Sequence, residues 1–174
     1  MFHSKEFVLA DKTKYNLKSF DCKKAEMNLF LSRFAIKNGK LGLSKTWVLP
    51  FKDYSKNSKT KLFVAAYFTL ASSSVSRDDL PLKNNFPGYP VPIVLLARLA
   101  VDKNFQKQRL GEKTLITALR KNVELTDLGL PAVGLILDVL DNDALKFYQQ
   151  YDMFLSFTNN PMRLFVPMNV LRQL

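Results

Sequence analysis

The chain has 174 residues, of which 47% are apolar and 24% are charged, and its formal net charge is +11. These values are typical of a globular protein, so we expect one domain over residues 1–174, without a membrane span or a secretory leader. Since Cys22 and His3 are the sole residues of their types, an internal disulfide, a histidine triad and a histidine metal site are excluded, and we expect a cytoplasmic protein without a metal.

Basic charge is concentrated in the first third of the chain. Up to Lys61 there are 14 Lys and Arg against 5 Asp and Glu, whereas the remainder has 12 against 10. A basic face of this kind attracts a polyanionic partner such as a nucleic acid. It is equally typical of a solvated surface that keeps a protein soluble, and composition alone leaves both interpretations open.

The first half of the chain predicts a helix followed by a β-hairpin. Asp21 is a plausible N-cap for a helix to about Asn38, whose apolar face would carry Met27, Phe30, Leu31 and Phe34. "KTWVLP" reads as a strand that Pro50 stops, and "LFVAAYFTLAS" as its partner, joined by the lysine-rich turn "FKDYSKNSKTK". The loop "RDDLPLKNNFPGYPVP" then holds four prolines, and loops of this length are often functional.

The second half alternates strands and helices. "IVLLARLAVD" predicts a central strand, and a helix follows from Gly111 to about Leu125. "AVGLILDVL" predicts another buried strand, and "RLFVPM" a last one. Between these two strands we expect a short helix, capped by Asp141 or Asn142, that contains Ala144, Phe147, Tyr148 and Tyr151. This order of elements is typical of a mixed α/β domain.

The segment from Leu95 to Leu119 predicts a strand, a polar loop and a helix N-terminus. Free N–H groups and the positive end of the helix dipole at such a place bind phosphate. Loops of this kind need glycine where a side chain would block close approach or where φ is positive. Gly111 meets that need once, so the segment alone is also consistent with an ordinary basic connection.

Tyr148 follows Phe147 on the next predicted helix. One of two adjacent aromatic residues can pack inward while the other faces a site. A tyrosine hydroxyl can protonate a departing thiolate, which is general-acid catalysis without histidine. The alternative is that Tyr148 is only a core aromatic residue.

Together these two segments resemble the GNAT acetyltransferase superfamily. Its acetyl-CoA loop has the pattern Gln/Arg-x-x-Gly-x-Gly/Ala, and Gln106, Arg109 and Gly111 stand at the three defined places. Arg109 therefore replaces the first glycine. In the downstream pattern Phe147–Tyr148 match, Asn142 and Ala144 lie near their places, and Asp152–Met153 stand where Gly–Phe is usual.

Four further segments resemble the toxin branch of this superfamily. They are "FDCKKAEMNLFL", "YFTLASSSV", "YPVPIVLLARLAVD" and "NPMRLFV", in that order between Phe20 and Val166. The resemblance implies a GNAT fold: a central, mostly antiparallel mixed sheet flanked by helices, with a V-shaped opening at the acetyl-CoA site. It also implies acetylation of the α-amine of aminoacyl-tRNA, a block of translation, a ribbon–helix–helix antitoxin and a possible homodimer.

The resemblance assigns roles to particular residues. Tyr148 would be the general acid. The residues that would bind acetyl-CoA are Leu99, Ala100, Val101, Gln106, Lys107, Gln108, Arg109, Leu110, Gly111, Glu112, Asn142, Ala144 and Phe147. The residues that would contact the RNA substrate are Lys23, Lys24, Arg33, Arg77 and Arg98.

Two of the chemically distinctive residues have open roles. Arg98, a charge within an apolar strand, needs a partner, either a substrate phosphate or a carboxylate such as that of Asp138. Cys22 is a possible nucleophile at a helix start, although without a histidine partner a packing role is favoured.

Two other functions are consistent with the sequence. One is a GNAT enzyme that acetylates protein N-termini or small amines. The other is a non-catalytic domain that binds RNA or a protein partner on a decayed GNAT fold, which the replacement of glycine by Arg109 favours.

Overall fold

The computed structural model describes residues 2–3, 6–52 and 61–174. Most of the predicted lysine-rich turn, with Lys56 and Lys59, lies outside the described residues. The strands are β1 (Phe2–His3), β2 (Val8–Leu9), β3 (Lys45–Lys52), β4 (Phe63–Val75), β5 (Val91–Val101), β6 (Gly134–Asp138), β7 (Leu155–Ser156) and β8 (Arg163–Pro167). The helices are α1 (Ala25–Leu29), α2 (Ala35–Lys40), α3 (Leu110–Asp127), α4 (Asn142–Tyr148) and α5 (Met168–Leu171). Among the described residues, no helix is both long and apolar enough to cross a membrane.

The chain forms two compact units. The first contains residues 1–70 and 98–118, and the second contains residues 71–97 and 119–174. Strands β4 and β5 and helix α3 each pass from one unit into the other. A single domain over residues 1–174 stays a prediction.

In the first unit the sheet is antiparallel and centred on β3. This strand pairs with β1, β2 and β4, which confirms the predicted hairpin. Pro50 does not stop the strand, because the register shifts between Leu49 and Pro50 and β3 then continues to Lys52. Since proline lacks an N–H donor, a bulge is one of the few positions in a sheet that accept it.

The predicted first helix starts later than expected and is interrupted. It begins at Ala25 rather than after Asp21, and a π-helical turn over Phe30–Phe34 separates α1 from α2. The N–H of Ala35 donates to the carbonyl of Phe30, five residues back. The prediction that Phe34 belongs to the buried apolar face is wrong, because its side chain is exposed. The wider turn places Phe34 out of line with the buried positions.

The buried residues of this helical segment pack against the strands of the first unit. Leu31 is fully buried together with Tyr67 of β4. The ring of Tyr67 lies 5.2 Å from that of Phe20 in an edge-on contact. Its hydroxyl donates to the carbonyl of Met27 over 2.8 Å. This contact fixes where the helix begins on the sheet.

The second unit contains the parallel part of the sheet. β5 pairs in parallel with β6, with Val94 beside Leu135, and β6 pairs antiparallel with β8, which in turn pairs with β7. The predicted mixed α/β architecture is therefore confirmed. The chain does not end with the predicted last strand, since α5 follows β8 directly.

Gly134 on β6 provides a test of how closely the strands of the second unit approach. A Cβ at this position would overlap the carbonyl oxygen of Val166 and the ring of Phe165 on β8. Because a sheet backbone cannot move aside cheaply, we expect Gly134→Ala to lower the free energy of unfolding by about 2–3 kcal/mol. Urea denaturation measures this change.

Gly88 is the matched control for that substitution. A Cβ at position 88 meets nothing within 4 Å, so Gly88→Ala should change the free energy of unfolding by less than about 0.5 kcal/mol. Equal effects of the two substitutions would contradict the steric explanation.

Candidate cofactor and catalytic site

The predicted phosphate loop joins β5 to α3 within the first unit. Asp102 caps a 3₁₀ turn over Lys103–Phe105 by accepting the N–H of Asn104 at 3.0 Å. The ring of Phe105 is buried edge-on against Phe51, with the ring centroids 4.7 Å apart. The loop is therefore attached to the core at its start, before residues 106–109 turn into the helix.

Two non-glycine residues in the loop have left-handed backbones. The φ angle is +61° at Lys107 and +60° at Arg109. Such a conformation costs an L-residue roughly 1–2 kcal/mol, which is why glycine is usual there. Left-handed turns of this kind orient backbone N–H groups toward an anion. Arg109 thus replaces the first glycine of the pattern in sequence while retaining the backbone geometry that glycine would adopt.

The side chain of Arg109 points out of the loop. Its guanidinium pairs with the carboxylate of Glu112 at 3.0 Å, and the side chain is 86% exposed. An exposed pair of this kind contributes little stability. The N–H of Lys113 makes the first helical hydrogen bond, to the carbonyl of Arg109. The N–H groups of Leu110, Gly111 and Glu112, which come before it in the first turn, have no acceptor within the helix. The arrangement can therefore bind a phosphate through the backbone.

Gln106 and Gln108 hold the loop in shape through their side chains. The Gln106 amide donates to the carbonyls of Val101 at 3.0 Å and Cys22 at 3.2 Å, and the Gln108 amide donates to the carbonyl of Asn104 at 3.1 Å. Their side-chain amides are thus used within the protein. A role in binding a cofactor, which stays a prediction, would come from their backbone.

Asp21 connects this loop to the segment that precedes α1. Its carboxylate accepts from the ammonium of Lys103 at 2.9 Å, from the N–H of Lys23 at 2.9 Å and from the amide of Asn28 at 2.9 Å. Its own N–H donates to Asp102 at 3.0 Å. The Lys103 ammonium, followed by the other donors, lowers the pKa of Asp21 to about 2. The predicted N-cap role is wrong, since Lys24 precedes the helix.

Cys22 lies beside this network without the properties of a nucleophile. It is buried, and its thiol contacts the side-chain oxygen of Asn28 at 3.3 Å. Burial raises the pKa of the thiol, whereas a reactive cysteine needs a lowered one. The packing role favoured by the sequence agrees with this environment.

The part of β5 that lies in the first unit contains Arg98 and three predicted cofactor residues, Leu99, Ala100 and Val101. Ala100 and Val101 are buried and Leu99 is half-buried. The guanidinium of Arg98 pairs with Glu26 at 3.3 Å and lies 5.1 Å from the centre of the Phe30 ring. Arg98 thus has a carboxylate partner, as one of the two alternatives required, but this partner is Glu26 and not Asp138. The carboxylate of Asp138 pairs with Arg163 at 2.7 Å.

Tyr148 lies at the end of α4 in the second unit. Asp141 caps this helix by accepting the N–H of Ala144 at 2.9 Å, as one of the two predicted caps. Tyr148 is buried, with the rings of Phe147 and Phe154 edge-on at 5.1 and 5.4 Å. Burial raises the pKa of its phenol. A proton is therefore held on Tyr148 at neutral pH, as a general acid requires.

The remaining predicted site residues are dispersed. In the second unit Asn142 is exposed at the start of α4, and Arg77 pairs with Asp78 at 3.4 Å and donates to the carbonyl of Phe86. In the first unit Lys23, Lys24 and Arg33 are exposed. Lys23 also has a left-handed backbone, with φ of +69°, because its N–H turns back to Asp21.

Comparison with known proteins gives consistent matches to one kind of protein. No protein-family model matches the sequence. A tRNA-acetylating toxin of Mycobacterium tuberculosis is 37% identical over 114 residues, which are 64% of this chain and 66% of the relative. The chain thus spans about two thirds of the length of that relative.

Two solved structures match over almost the full length. A tyrosine-to-phenylalanine variant of KacT has a TM-score of 0.83 and 26% identity over 97% of both chains. AtaT complexed with acetyl-methionyl-tRNAfMet has a TM-score of 0.81 and 25% identity over 97% of both chains.

The left-handed backbone of Arg109 predicts a difference between two substitutions at this position. Arg109→Gly and Arg109→Ala both remove the pair with Glu112, but only glycine adopts a positive φ without strain. Despite the greater freedom of glycine in the unfolded chain, we expect Arg109→Gly to be more stable than Arg109→Ala by about 1 kcal/mol. Thermal and urea unfolding measure this, and equal or reversed stabilities would argue against a left-handed residue at 109.

The low pKa of Asp21 predicts a dependence of stability on pH. Its folded-state pKa of about 2 lies below the ordinary aspartate pKa of 3.8, so the ionised carboxylate stabilises the fold above about pH 4. This contribution is lost as the pH falls toward 2. We therefore expect Asp21→Asn to be less stable than the parent protein at pH 6. The difference should narrow between pH 4 and pH 2.

Unfolding by urea at a series of pH values measures that narrowing. Asp152→Asn, which removes an exposed carboxylate elsewhere, is the control and should show a difference that changes little over the same range. A constant difference for Asp21→Asn would show that its carboxylate is not the group that titrates.

Proposed function

This chain is a member of the GNAT acetyltransferase family with the fold of the KacT and AtaT toxins, and from that premise we propose that it acetylates the α-amine of an aminoacyl-tRNA. Acetyl-CoA is the donor. Modification of the amine prevents its use in peptide-bond formation, so the product blocks translation. The protein acts as the toxin of a toxin–antitoxin pair.

One observation supports this proposal most strongly. The likeness to AtaT in complex with acetyl-methionyl-tRNAfMet extends over 97% of both chains. The tRNA-acetylating toxin of Mycobacterium tuberculosis supports it at the level of sequence, with 37% identity. The basic excess in the first third of this chain is the charge that an RNA substrate requires.

The phosphate loop has the properties needed to hold the cofactor. Acetyl-CoA supplies the acetyl group as an activated thioester. The N–H groups of Leu110, Gly111 and Glu112, at the positive end of the α3 dipole, bind its pyrophosphate. The left-handed residues Lys107 and Arg109 shape the loop without placing a side chain in it, since Arg109 is directed to solvent. This geometry removes the argument that Arg109 indicates a decayed site.

The part of β5 that contains Leu99 and Val101 would hold the rest of the cofactor. Backbone groups of these two residues would pair with the pantetheine arm, as the family resemblance implies. A backbone N–H of the same segment stabilises the negative charge that develops on the carbonyl oxygen during transfer. The family resemblance also assigns Asn142, Ala144 and Phe147, in the second unit, to the cofactor.

Tyr148 acts as the general acid. The substrate amine attacks the thioester directly, without an acyl-enzyme, and Tyr148 protonates the departing thiolate. Burial raises the pKa of the phenol, so Tyr148 keeps its proton until negative charge develops on the departing sulfur. The amine of an aminoacyl ester has a low pKa and is partly neutral at pH 7, which makes a dedicated base unnecessary.

The proposal extends to partners and location. A ribbon–helix–helix antitoxin neutralises the protein. The protein acts in the cytoplasm and does not bind a membrane. The residues that the sequence suggested for RNA are Lys23, Lys24, Arg33, Arg77 and Arg98. Arg98 is paired with Glu26, so a phosphate that binds Arg98 has to compete with that carboxylate. A homodimer is part of the proposal.

Direct assay of the acceptor distinguishes the candidate functions. The protein is incubated with labelled acetyl-CoA and, separately, with charged tRNA, peptides with free N-termini, and polyamines. We expect label on aminoacyl-tRNA alone. Label on peptides or polyamines would instead support an N-terminal or small-amine acetyltransferase, and no binding of CoA in calorimetry would support a non-catalytic domain.

Substitution of Tyr148 tests the mechanism. Tyr148→Phe removes the hydroxyl and keeps the buried ring, so we expect the rate of acetyl transfer to fall by roughly 10²-fold or more while the fold remains intact. Single-turnover assays with aminoacyl-tRNA measure the rate, and circular dichroism verifies the fold.

Tyr151→Phe is the matched control for that experiment. Tyr151 belongs to the same aromatic cluster, with its ring edge-on to Phe147 at 5.8 Å, and its substitution should leave the rate within about two- to threefold. Parent-like turnover by Tyr148→Phe would remove Tyr148 from the mechanism without altering the proposed substrate.

A further inference from the structure

A groove in the first unit carries an unusual concentration of positive charge. It has a volume of about 1060 Å³ and lies between the segment before α1 and the outer face of the helical segment that ends in α2. Six of its lining residues are basic and exposed: Lys12, Lys18, Arg33, Lys37, Lys40 and Lys61. We name this feature the basic groove.

Among the residues that the structure describes, no acidic residue lines the basic groove. Among residues 6–52 and 61–174, no carboxylate lies within 4.0 Å of any of its six side-chain cations. Some basic side chains of the same unit are paired by contrast, as Lys14 is with Asp11 and Arg98 is with Glu26. Like charges gathered without counter-charges repel one another, so an anionic ligand that enters the groove gains their full attraction.

One wall of the groove is lined with cations. Arg33, Lys37 and Lys40 all line the groove and therefore lie on the same side of this helical segment. The opposite face carries Leu31 and Ala35, which are buried in the core. At a rise of 1.5 Å per residue the three basic residues extend over roughly 10 Å, along which one strand of a nucleic acid presents about three phosphates.

The other wall is fixed in place by backbone hydrogen bonds. The N–H of Asn16 donates to the carbonyl of Leu62 at 2.8 Å, and the N–H of Leu62 donates to the carbonyl of Lys14 at 3.1 Å. The ammonium of Lys61 donates to the carbonyl of Lys12 at 2.6 Å. The groove is thus formed before any ligand binds, which lowers the entropic cost of binding.

Neutral hydrogen-bonding groups accompany the cations. Thr13, Tyr15, Asn16 and Ser32 also line the groove, and hydroxyl and amide side chains are common partners of phosphate and sugar oxygens in nucleic-acid complexes. A groove of this length suits a chain of phosphates better than a single phosphate, which would engage few of the six cations.

We propose that the basic groove binds the sugar–phosphate backbone of the tRNA substrate. This inference rests on the proposed function and specifies the surface that holds the RNA. Of the six cations, only Arg33 was assigned to RNA from the sequence, and the groove adds five others. The contacts are to phosphates, so the groove supplies affinity without reading the RNA sequence.

The test compares two double substitutions of equal charge. Lys37→Gln with Lys40→Gln removes two cations from the groove, and Lys83→Gln with Lys146→Gln removes two exposed cations from the second unit. Binding of deacylated tRNA is measured at several salt concentrations. We expect the slope of log K against log[salt] to become shallower by about 2 for the groove pair and to change by less than about 0.5 for the control pair.

Acetylation assays separate this inference from the proposed function. For the groove pair we expect kcat/KM on aminoacyl-tRNA to fall at least tenfold, mainly through KM, with an unchanged rate on a small aminoacyl ester that lacks RNA. If the parent protein acetylates no aminoacyl-tRNA, the proposed function fails, but the binding measurement with deacylated tRNA still decides the role of the groove.

Three results would overturn the inference. The first is an unchanged affinity and salt slope for the groove pair, and the second is no binding of tRNA by the parent protein. The third is unchanged tRNA binding together with weakened binding of poly-glutamate, which would assign the groove to an acidic protein segment. Thermal unfolding serves as the folding control, since exposed Lys→Gln changes should cost less than about 0.5 kcal/mol each.

Discussion

The attachment of the β5–α3 loop to the segment before α1 is the constraint on which the candidate site depends. Asp21 accepts from Lys103 in the loop and from Asn28 in the helix, while Asp102 in the loop accepts the N–H of Asp21. A loop that binds phosphate through its backbone has to keep its N–H groups in place without a ligand. In this protein side-chain hydrogen bonds hold the loop in that conformation, although the loop contains few glycines.

The sequence predicted much of the fold, because hydrophobic periodicity is a local signal. Strands β3, β4, β5, β6 and β8 and helix α3 were predicted within a few residues of their observed ends. The short strands β1, β2 and β7, the π-helical turn, the extension of β3 beyond Pro50 and the helix α5 were missed. These features depend on contacts between residues distant in sequence, such as the hydrogen bond from Tyr67 to Met27, or on a β-bulge, which has no sequence pattern that would predict it.

The sequence could name candidate site residues but not their geometry. Family patterns singled out the loop and Tyr148, whose roles stay predictions, and the replacement of glycine by Arg109 could not be interpreted without the φ angle at that position. The partner of Arg98 was likewise beyond sequence reasoning, since Glu26 is 72 positions away in the chain. The groove could not be predicted from the sequence either, because its six cations come from three segments that are separate in the chain.

The π-helical turn at Phe30–Phe34 has a consequence for insertions and deletions in this region. A turn whose N–H groups reach back five residues contains one residue more than an α-helical turn of the same span. A deletion of a single residue there would restore regular helix hydrogen bonding. It would also rotate everything before the turn by about 100° relative to α2, and would move Phe30 and Leu31 out of the core. In this segment a regular α-helix is therefore incompatible with the burial of Phe30 and Leu31.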